Sequence, residues 1–584
     1  MARLDYSAPG VYVEETSRGS RPIEGVNMSV AGFVGFTEDV RGKAEHFTPK
    51  LITSWTDYLN CFAKPDSDGF TDFNAYLPFA VKGWFDNGGG RCWVVSLGTQ
   101  LPSKKTQDAS ETSEAAIEPK LEVKTAGNRP SLSFKPKPGQ QEQGTLFVRI
   151  ERDSPPPASE NGQDEIFDSG EYFKITLERD GKPLERPQPP SGEGADDSET
   201  SGTSSSSQMR LSQFDDEKYT YRHLTMQEEP EVGTFVKQAL EESPYVKVEV
   251  LLEEGLPLAR RPANGRYEFS SPAIIYHQEK LHNYIYGEPR KRTGVRGLFA
   301  IEEVSMVACP DLMLAYQEGY LDEEQVRGII EVMITGCEDS SPHPAYRMAV
   351  LDPLPDKEDP QDVADWMQSW GRRSQFAALY YPWIQVPNPR DNGRSIQVPP
   401  CGHMMGIWCQ TDETHGIHKA PANVQPRGVT GLAYDVNFRE QEYLNPIGVN
   451  CIRRFPNRGI QVWGARTLVE PGNTEWRYIS VRRLMSYIER SIELETQWAV
   501  FEPNDEDLWA RVTRTVRNFL ERLWRDGALF GSTPDEAFYV KCDGELNTPE
   551  TMMLGRLFID VGVAPVRPAE FVVFRVSQFD PTAQ

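Results

Sequence analysis

Val304-Ser305-Met306-Val307-Ala308-Cys309-Pro310-Asp311 is an apolar run closed by Pro-Asp, and Met348-Ala349-Val350-Leu351-Asp352-Pro353 repeats the pattern. Between the two, Asp322 to Gly336 is compatible with a helix, and Ala377 to Val386 closes the unit. Short, wholly apolar strands alternating with helices predict a mostly parallel sheet with helices on both faces, because only a strand buried on both sides tolerates apolar residues at every position.

Upstream, a strand is expected at Val30 to Phe36, helices at Trp55 to Phe62 and Tyr76 to Phe85, and a strand at Cys92 to Leu97. The Asn87-Gly88-Gly89-Gly90 run is a turn signal. Its glycines precede a strand, whereas a phosphate cradle follows a strand and opens a helix, so it carries no nucleotide expectation. From residue 101 the composition changes to Ser, Pro, Glu and Lys, with a low-complexity tract at Ser191 to Ser207 too polar to bury a core. Alternating segments at Gly144 to Ile150, Tyr172 to Leu177 and Tyr245 to Leu252 predict a small β-rich domain within this insertion. Its 32 Asp and Glu stand against 21 Lys and Arg between residues 101 and 270.

Downstream, Leu508, Trp509, Val512, Val516, Phe519, Leu520 and Leu523 recur at spacings of three and four, the stripe of an amphipathic helix. Asn504 is the expected cap, Asp505, Glu506 and Asp507 complement the helix dipole, and Gly527 marks the end. A preceding helix, about Arg477 to Val500, is expected to bury Val481, Leu484, Met485, Ile488 and Ile492. The two chain ends read as extended strands: Val11, Tyr12, Val13, Glu14 and Glu15 follow Pro9-Gly10, and Phe571, Val572, Val573, Phe574, Arg575 and Val576 are β-favouring.

The domains expected are thus an arm (1–28), a core in two parts (29–100 and 271–427) around the acidic insertion (101–270), a C-terminal domain (428–569) and a terminal strand arm (570–584). The fold class is α/β and α+β multidomain, with a mixed core sheet flanked by helices. With 584 residues there is ample chain for several cores. Eight scattered cysteines without a C-x-x-C pair predict buried free thiols in a reducing compartment. No apolar run reaches the roughly 18 residues that span a bilayer, which predicts a soluble chain made in the cytoplasm with no direct membrane insertion. A net charge of −25 argues against nucleic acid, whose binding rests on Lys and Arg neutralising phosphates.

Three groups of residues invite a chemical reading. Cys401, His403, Cys409, His415 and His418 supply the ligand types of zinc, but not the spacing of a paired-ligand finger. Asp311 and Asp352 end strands where α/β enzymes bind ligands, and serve equally as caps and turn residues; no nucleophile with a base partner accompanies either in sequence. Arg511, Arg514, Arg517 and Arg525 form a basic helix side, either solvated or available for docking.

Several stretches resemble the contractile tail sheath family of phages and injection systems. They are Pro9-Gly10-Val11-Tyr12-Val13-Glu14-Glu15 through Gly35-Phe36, and Asn87-Gly88-Gly89 leading into Cys92-Trp93-Val94-Val95, similar to the family's first core hairpin. Further on come Pro399-Pro400 to Gly406, Asp412, Gly416 and Lys419 to Asn423; Leu444-Asn445-Pro446, Gly448-Val449-Asn450 and Trp463 to Thr467; and Phe501 to Asn504, Gly527-Ala528-Leu529 and Ala564 to Phe571. Together they cover about two thirds of the chain in family order; residues 101 to 270 have no assigned counterpart.

The resemblance implies a non-enzymatic structural subunit with no cofactor and no metal. It implies stacked, hexameric rings around an inner tube, with baseplate and terminal cap proteins as partners, assembled in the bacterial cytoplasm into a virion or tail-like particle. It also implies that the two end strands complete sheets in neighbouring subunits and that the four arginines face the tube. A non-contractile tail or baseplate component and an α/β enzyme are the other classes the residues admit.

Overall fold

The computed structural model describes residues 23–65, 67–103, 115–117, 121–137, 146–156, 170–179, 182–185, 218–230, 232–252, 254–269, 273–339 and 346–574. The core sheet is built from β1 (Val30–Gly35), β2 (Pro49–Ile52), β3 (Arg91–Ser96), β4 (Met306–Ala308), β5 (Met348–Leu351), β6 (Ala377–Tyr381), β7 (Val449–Phe455) and β8 (Gly459–Val462), in the order β2-β3-β1-β4-β5-β6-β7-β8. Every neighbouring pair from β3 to β7 is parallel, and antiparallel β2 and β8 close the edges. Every residue of β1, β4, β5 and β6 is buried, as their unbroken apolar character predicted.

The helices α1 (Trp55–Phe62), α2 (Tyr76–Asp86), α3 (Asp311–Gln317), α4 (Glu323–Glu338), α5 (Pro360–Trp370) and α6 (Cys401–His415) connect or cover these strands. A reciprocal capping box of Asp322 and Gln325 opens α4. The Asn87–Gly90 turn joins α2 to β3, so the glycines end a helix; the hairpin expected from resemblance is replaced by a β2–β3 pair with two helices between its strands.

The described residues between 121 and 269 bury a separate apolar core that includes Val123, Phe134, Val148, Phe173 and Val246. One of its sheets runs Thr234–Phe235, Thr220–Thr225, Phe173–Arg179, Leu146–Arg152 and Gly265–Glu268; another pairs Val246–Val250, Pro130–Pro136 and Leu121–Lys124. Glu178 lies buried in the first sheet, accepting from Arg149 at 3.2 Å and Arg266 at 2.8 Å.

The C-terminal part contains α7 (Ile479–Glu495), α8 (Glu506–Arg525) and a two-stranded antiparallel sheet of β9 (Phe538–Lys541) and β10 (Asp560–Val563). The predicted stripe of α8 is buried from Leu508 to Leu520, with Leu523 half-buried. On α7, Val481, Leu484 and Ile488 are buried, whereas Met485 and Ile492 are half-buried.

Three expectations need correction. The core sheet does not stop at residue 428, because β7 and β8 extend it to Val462. The arm does not run free to residue 28: Ile23 is fully buried in the C-terminal core and its carbonyl accepts from the Arg522 guanidinium. Asp505 caps α8, accepting from Leu508 N at 2.9 Å, while Asn504 is occupied by the Trp509 indole and the Arg556 carbonyl. Among the described residues, no helix is long and apolar enough to cross a membrane.

Helices α2 and α6 cross closely because both carry glycine at the contact. A Cβ on Gly402 would fall 2.5 Å from the Ala80 Cα, and one on Gly406 would fall 2.7 Å from the Trp84 carbonyl oxygen. These are backbone obstacles, so only movement of a whole helix relieves them. Gly402→Ala should therefore cost about 1–3 kcal/mol of stability in urea unfolding, whereas Gly90→Ala, with nothing within 4 Å of the added carbon, should be near neutral. Equal midpoints for the two variants would refute a backbone-limited crossing.

Candidate functional site

The chain ends are the first candidate. Val11, Tyr12, Val13, Glu14 and Glu15 lie outside the described residues, as do Arg575 and Val576. Phe571, Val572, Val573 and Phe574 are described, form no strand and are 72%, 69%, 79% and 85% exposed. Four consecutive large apolar side chains in water are unfavourable for a chain acting alone.

Immediately before them the chain is held firmly. The Glu570 carboxylate accepts from Arg466 Nε at 2.9 Å and Nη2 at 2.6 Å, from Asn445 Nδ2 at 2.8 Å and from the Tyr478 hydroxyl at 2.9 Å. Arg466 is itself fixed to the core, donating to the Asn445 carbonyl, while its backbone N–H donates to Asn450 Oδ1. Burial works against the Glu570 charge, but the hydrogen bonds from Arg466 and Asn445, the Arg466 charge and the Tyr478 hydroxyl outweigh it. The carboxyl stays below its usual range. Both residues lie within the motifs that resemble the sheath family, but the contact spans 104 positions and has no local signature.

A second ion pair joins the arm base, α6 and α7. Arg483 donates to both Asp412 oxygens, at 2.8 and 2.6 Å, and to the Met28 carbonyl at 2.9 Å, while the Ser29 hydroxyl donates to Asp412 at 3.2 Å. The two side chains are 4% and 13% exposed. Burial opposes the Arg483 charge, and the Asp412 carboxylate outweighs it and holds the guanidinium above its usual range.

The four α8 arginines are all exposed, but they are not a free basic face. Arg511 pairs with Glu502 at 3.1 Å, Arg517 with Asp535 at 2.8 Å and Arg525 with Glu521 at 2.5 Å. Arg514 alone of the four pairs with no carboxylate among the described residues.

Cys401, His403 and Cys409 are buried along α6, and His415 and His418 lie at and beyond its end. Among the described residues no group of three or more His, Cys, Asp or Glu is arranged to hold a metal. His403 fills space left by Gly83, and burial lowers its imidazole to about 4.

Asp311 and Asp352 act as caps, though for helices distant in sequence. Asp311 accepts from Phe36 N at 2.6 Å and from the first N–H groups of α2, Tyr76 at 2.5 Å and Leu77 at 3.3 Å. Asp352 accepts from Cys401 N at 3.0 Å, the first residue of α6. Burial pushes both carboxyls up to about 7, against the hydrogen bonds that favour ionisation.

Two stability tests follow from these contacts. Asp412→Asn should leave the Arg483 cation buried without a counter-charge and cost about 3–5 kcal/mol in denaturant unfolding; a loss below about 1 kcal/mol would contradict the arrangement. The second concerns pH. A carboxyl raised from 3.8 to about 7 binds a proton on folding between those values, so its stabilisation is greatest below about 4 and falls as pH rises through about 7. His403 has the opposite sign, since its imidazole protonates more readily in the unfolded chain and acid lowers stability. The urea midpoint change from pH 5 to pH 8 in Asp311→Asn/Asp352→Asn should therefore lack the alkaline fall contributed by the two carboxyls. An unaltered profile would exclude this titration.

Comparison with known proteins matches residues 319–468 to the phage tail sheath protein central domain and residues 472–579 to the phage tail sheath C-terminal domain. The prophage major tail sheath protein of Pseudomonas aeruginosa (strain UCBPP-PA14) is 26% identical over 239 residues, 40% of this chain and 58% of that protein. The tail sheath protein of Salmonella phage ViI is 27% identical over 209 residues, 35% of this chain and 32% of that protein. The aligned stretches thus span less than two thirds of these relatives. Among solved structures, the anti-feeding prophage helical sheath in its contracted state matches with a TM-score of 0.52 at 21% identity, covering 98% of this chain and 99% of that one. The contracted sheath complex of the extracellular contractile injection system PVC matches at 0.50 and 20%, covering 99% of each chain. The chain thus carries, in order, a phage tail sheath protein central domain over residues 319–468 and a phage tail sheath C-terminal domain over residues 472–579, and shares its fold with these solved sheaths along almost its whole length.

Proposed function

We propose that this chain is the repeating subunit of a contractile sheath that polymerises in stacked, hexameric rings around an inner tube and shortens to drive the tube through a target envelope. The observation that carries this reading is the consecutive match of the central and C-terminal sheath domains over residues 319–468 and 472–579. Its partners are further copies of itself, the tube protein, and baseplate and cap proteins, within a virion or tail-like particle assembled in the bacterial cytoplasm. The insertion at 101–270 forms an outer domain.

The chain ends link the subunits. The exposed Phe571–Phe574 segment supports a strand lent to a neighbour, since burial against another copy removes its apolar surface from water and satisfies its backbone. The two-stranded β9–β10 sheet is an acceptor of the right kind, because its outer edges carry no ladder partners among the described residues. Val11 to Glu15 plays the same part at the other end. About 20 extended residues reach at most roughly 65–70 Å, enough to cross a neighbouring core.

Tube contact is electrostatic and centred on Arg514, with Arg511, Arg517 and Arg525 able to exchange their intramolecular partners. Exposed pairs are worth only about 0–1 kcal/mol each and are screened by salt, so the contact is reversible. Contraction needs no nucleotide if the extended lattice is a trapped state. About 100 Å² of extra apolar burial per subunit would release roughly 2.5 kcal/mol, multiplied along the sheath.

Electron microscopy of the protein co-expressed with its tube protein tests the reading. The wild type should form striated hollow cylinders that contract without ATP, removal of residues 571–584 should leave short or unlinked assemblies, and Arg511→Glu/Arg514→Glu should form sheath that fails to retain tube. Discrete particles from the wild type would overturn the sheath reading. Full cylinders from the truncated chain would overturn strand lending at this end, and tube retention by the double variant would overturn the arginine contact.

A further inference from the structure

The chain from β10 onward has an uneven pattern of attachment. Ala564 and Val566 are laddered to the C-terminal domain: Ala564 N donates to the Ala537 carbonyl, Phe530 N to the Ala564 carbonyl, and Val566 N to the Ala528 carbonyl at 3.1 Å. Arg567, Pro568 and Ala569 make no hydrogen bond among the described residues, and Arg567 and Ala569 are exposed. Glu570 then makes the last hydrogen bonds of the described chain, all through its side chain, to residues anchored on the core. Beyond it lie four exposed apolar residues.

We propose that Glu570 is a positioning residue for strand lending, a latch in the Arg466–Asn445–Tyr478 pocket that fixes where the C-terminal arm leaves the subunit and whose release lengthens the arm. This rests on the reading that residues 571 onward bind a neighbour. With the latch closed, the free chain begins at Phe571; with it open, the nearest attachment is Val566. Release therefore adds residues 567–570, and four extended residues add roughly 13–14 Å of reach. A side-chain latch suits this use because it opens without breaking the backbone ladder at 564–566. A helical lattice in which neighbouring subunits slide past one another changes the distance from each arm root to its acceptor, and the reserve absorbs that change while the linkage survives.

The alternative is that Glu570 merely stabilises the junction, and the test separates the two. Three full-length proteins are assembled into sheath: the wild type, Glu570→Gln, and a chain with four Gly-Ser residues inserted between Glu570 and Phe571, which leaves the latch intact. Each is titrated with urea to find the concentration that triggers contraction, and the mobility of a nitroxide on a cysteine introduced by Ala569→Cys is followed. The proposal expects both variants to form cylinders and to contract at lower urea than the wild type. Before contraction the label should be more mobile in Glu570→Gln than in the wild type, and its mobility should rise in the wild type on contraction. An insertion variant that contracts at the wild-type concentration, or a wild-type label whose mobility does not change on contraction, would overturn the latch. Removal of residues 571–584 checks the underlying reading: if it abolishes cylinders while both variants behave as wild type, only the latch fails, and if cylinders persist, strand lending itself fails.

Discussion

The Arg483–Asp412 pair is the contact on which the arrangement of this subunit depends. It joins α7, α6 and the base of the N-terminal arm in one buried site, through the Met28 carbonyl and the Ser29 hydroxyl. Neither charge is tolerable alone at that depth, because a buried ion without its partner bears the full loss of hydration. The C-terminal helices are therefore held against the core whatever strains the weaker contacts around them. The neighbouring interactions follow from this seat: Ile23 packs into the C-terminal core, and the Arg522 guanidinium reaches its carbonyl.

Strong and weak contacts are distributed unevenly between the body of the chain and its surface. Inside the body, Asp311 and Asp352 tie helix N-termini to strand exits, and glycines let α2 and α6 meet backbone to backbone. On the outside of α8, exposed arginines pair with exposed or half-buried carboxylates in contacts that salt and new partners displace readily. At the chain end, four apolar side chains remain in water although the same molecule buries an extensive core. On the proposed function, a body held by buried contacts and a C-terminal segment exposed until a neighbour covers it would let a polymer change shape without coming apart.

The sequence by itself determined the elements. Apolar runs such as Met348 to Leu351, short and closed by Asp352-Pro353, read as strands covered on both faces, and the three-and-four spacing from Leu508 to Leu520 reads as one buried side of a helix, because each property is local to the segment. The resemblance motifs also pointed to Arg466, Asp412 and Glu570 as part of a family pattern. What only the tertiary structure decided was which groups meet. Asp311 caps a helix that begins 235 positions earlier, Glu570 reaches Arg466 across 104 positions, and β7 joins the core sheet well past the domain boundary expected at residue 428. Even the cap of α8 moved by one residue once Asn504 was engaged by the Trp509 indole. The physical reason is that a charge or a hydrogen-bonding group records in sequence that it needs a partner, but the partner's identity is set by which surfaces the folded chain brings within about 3 Å.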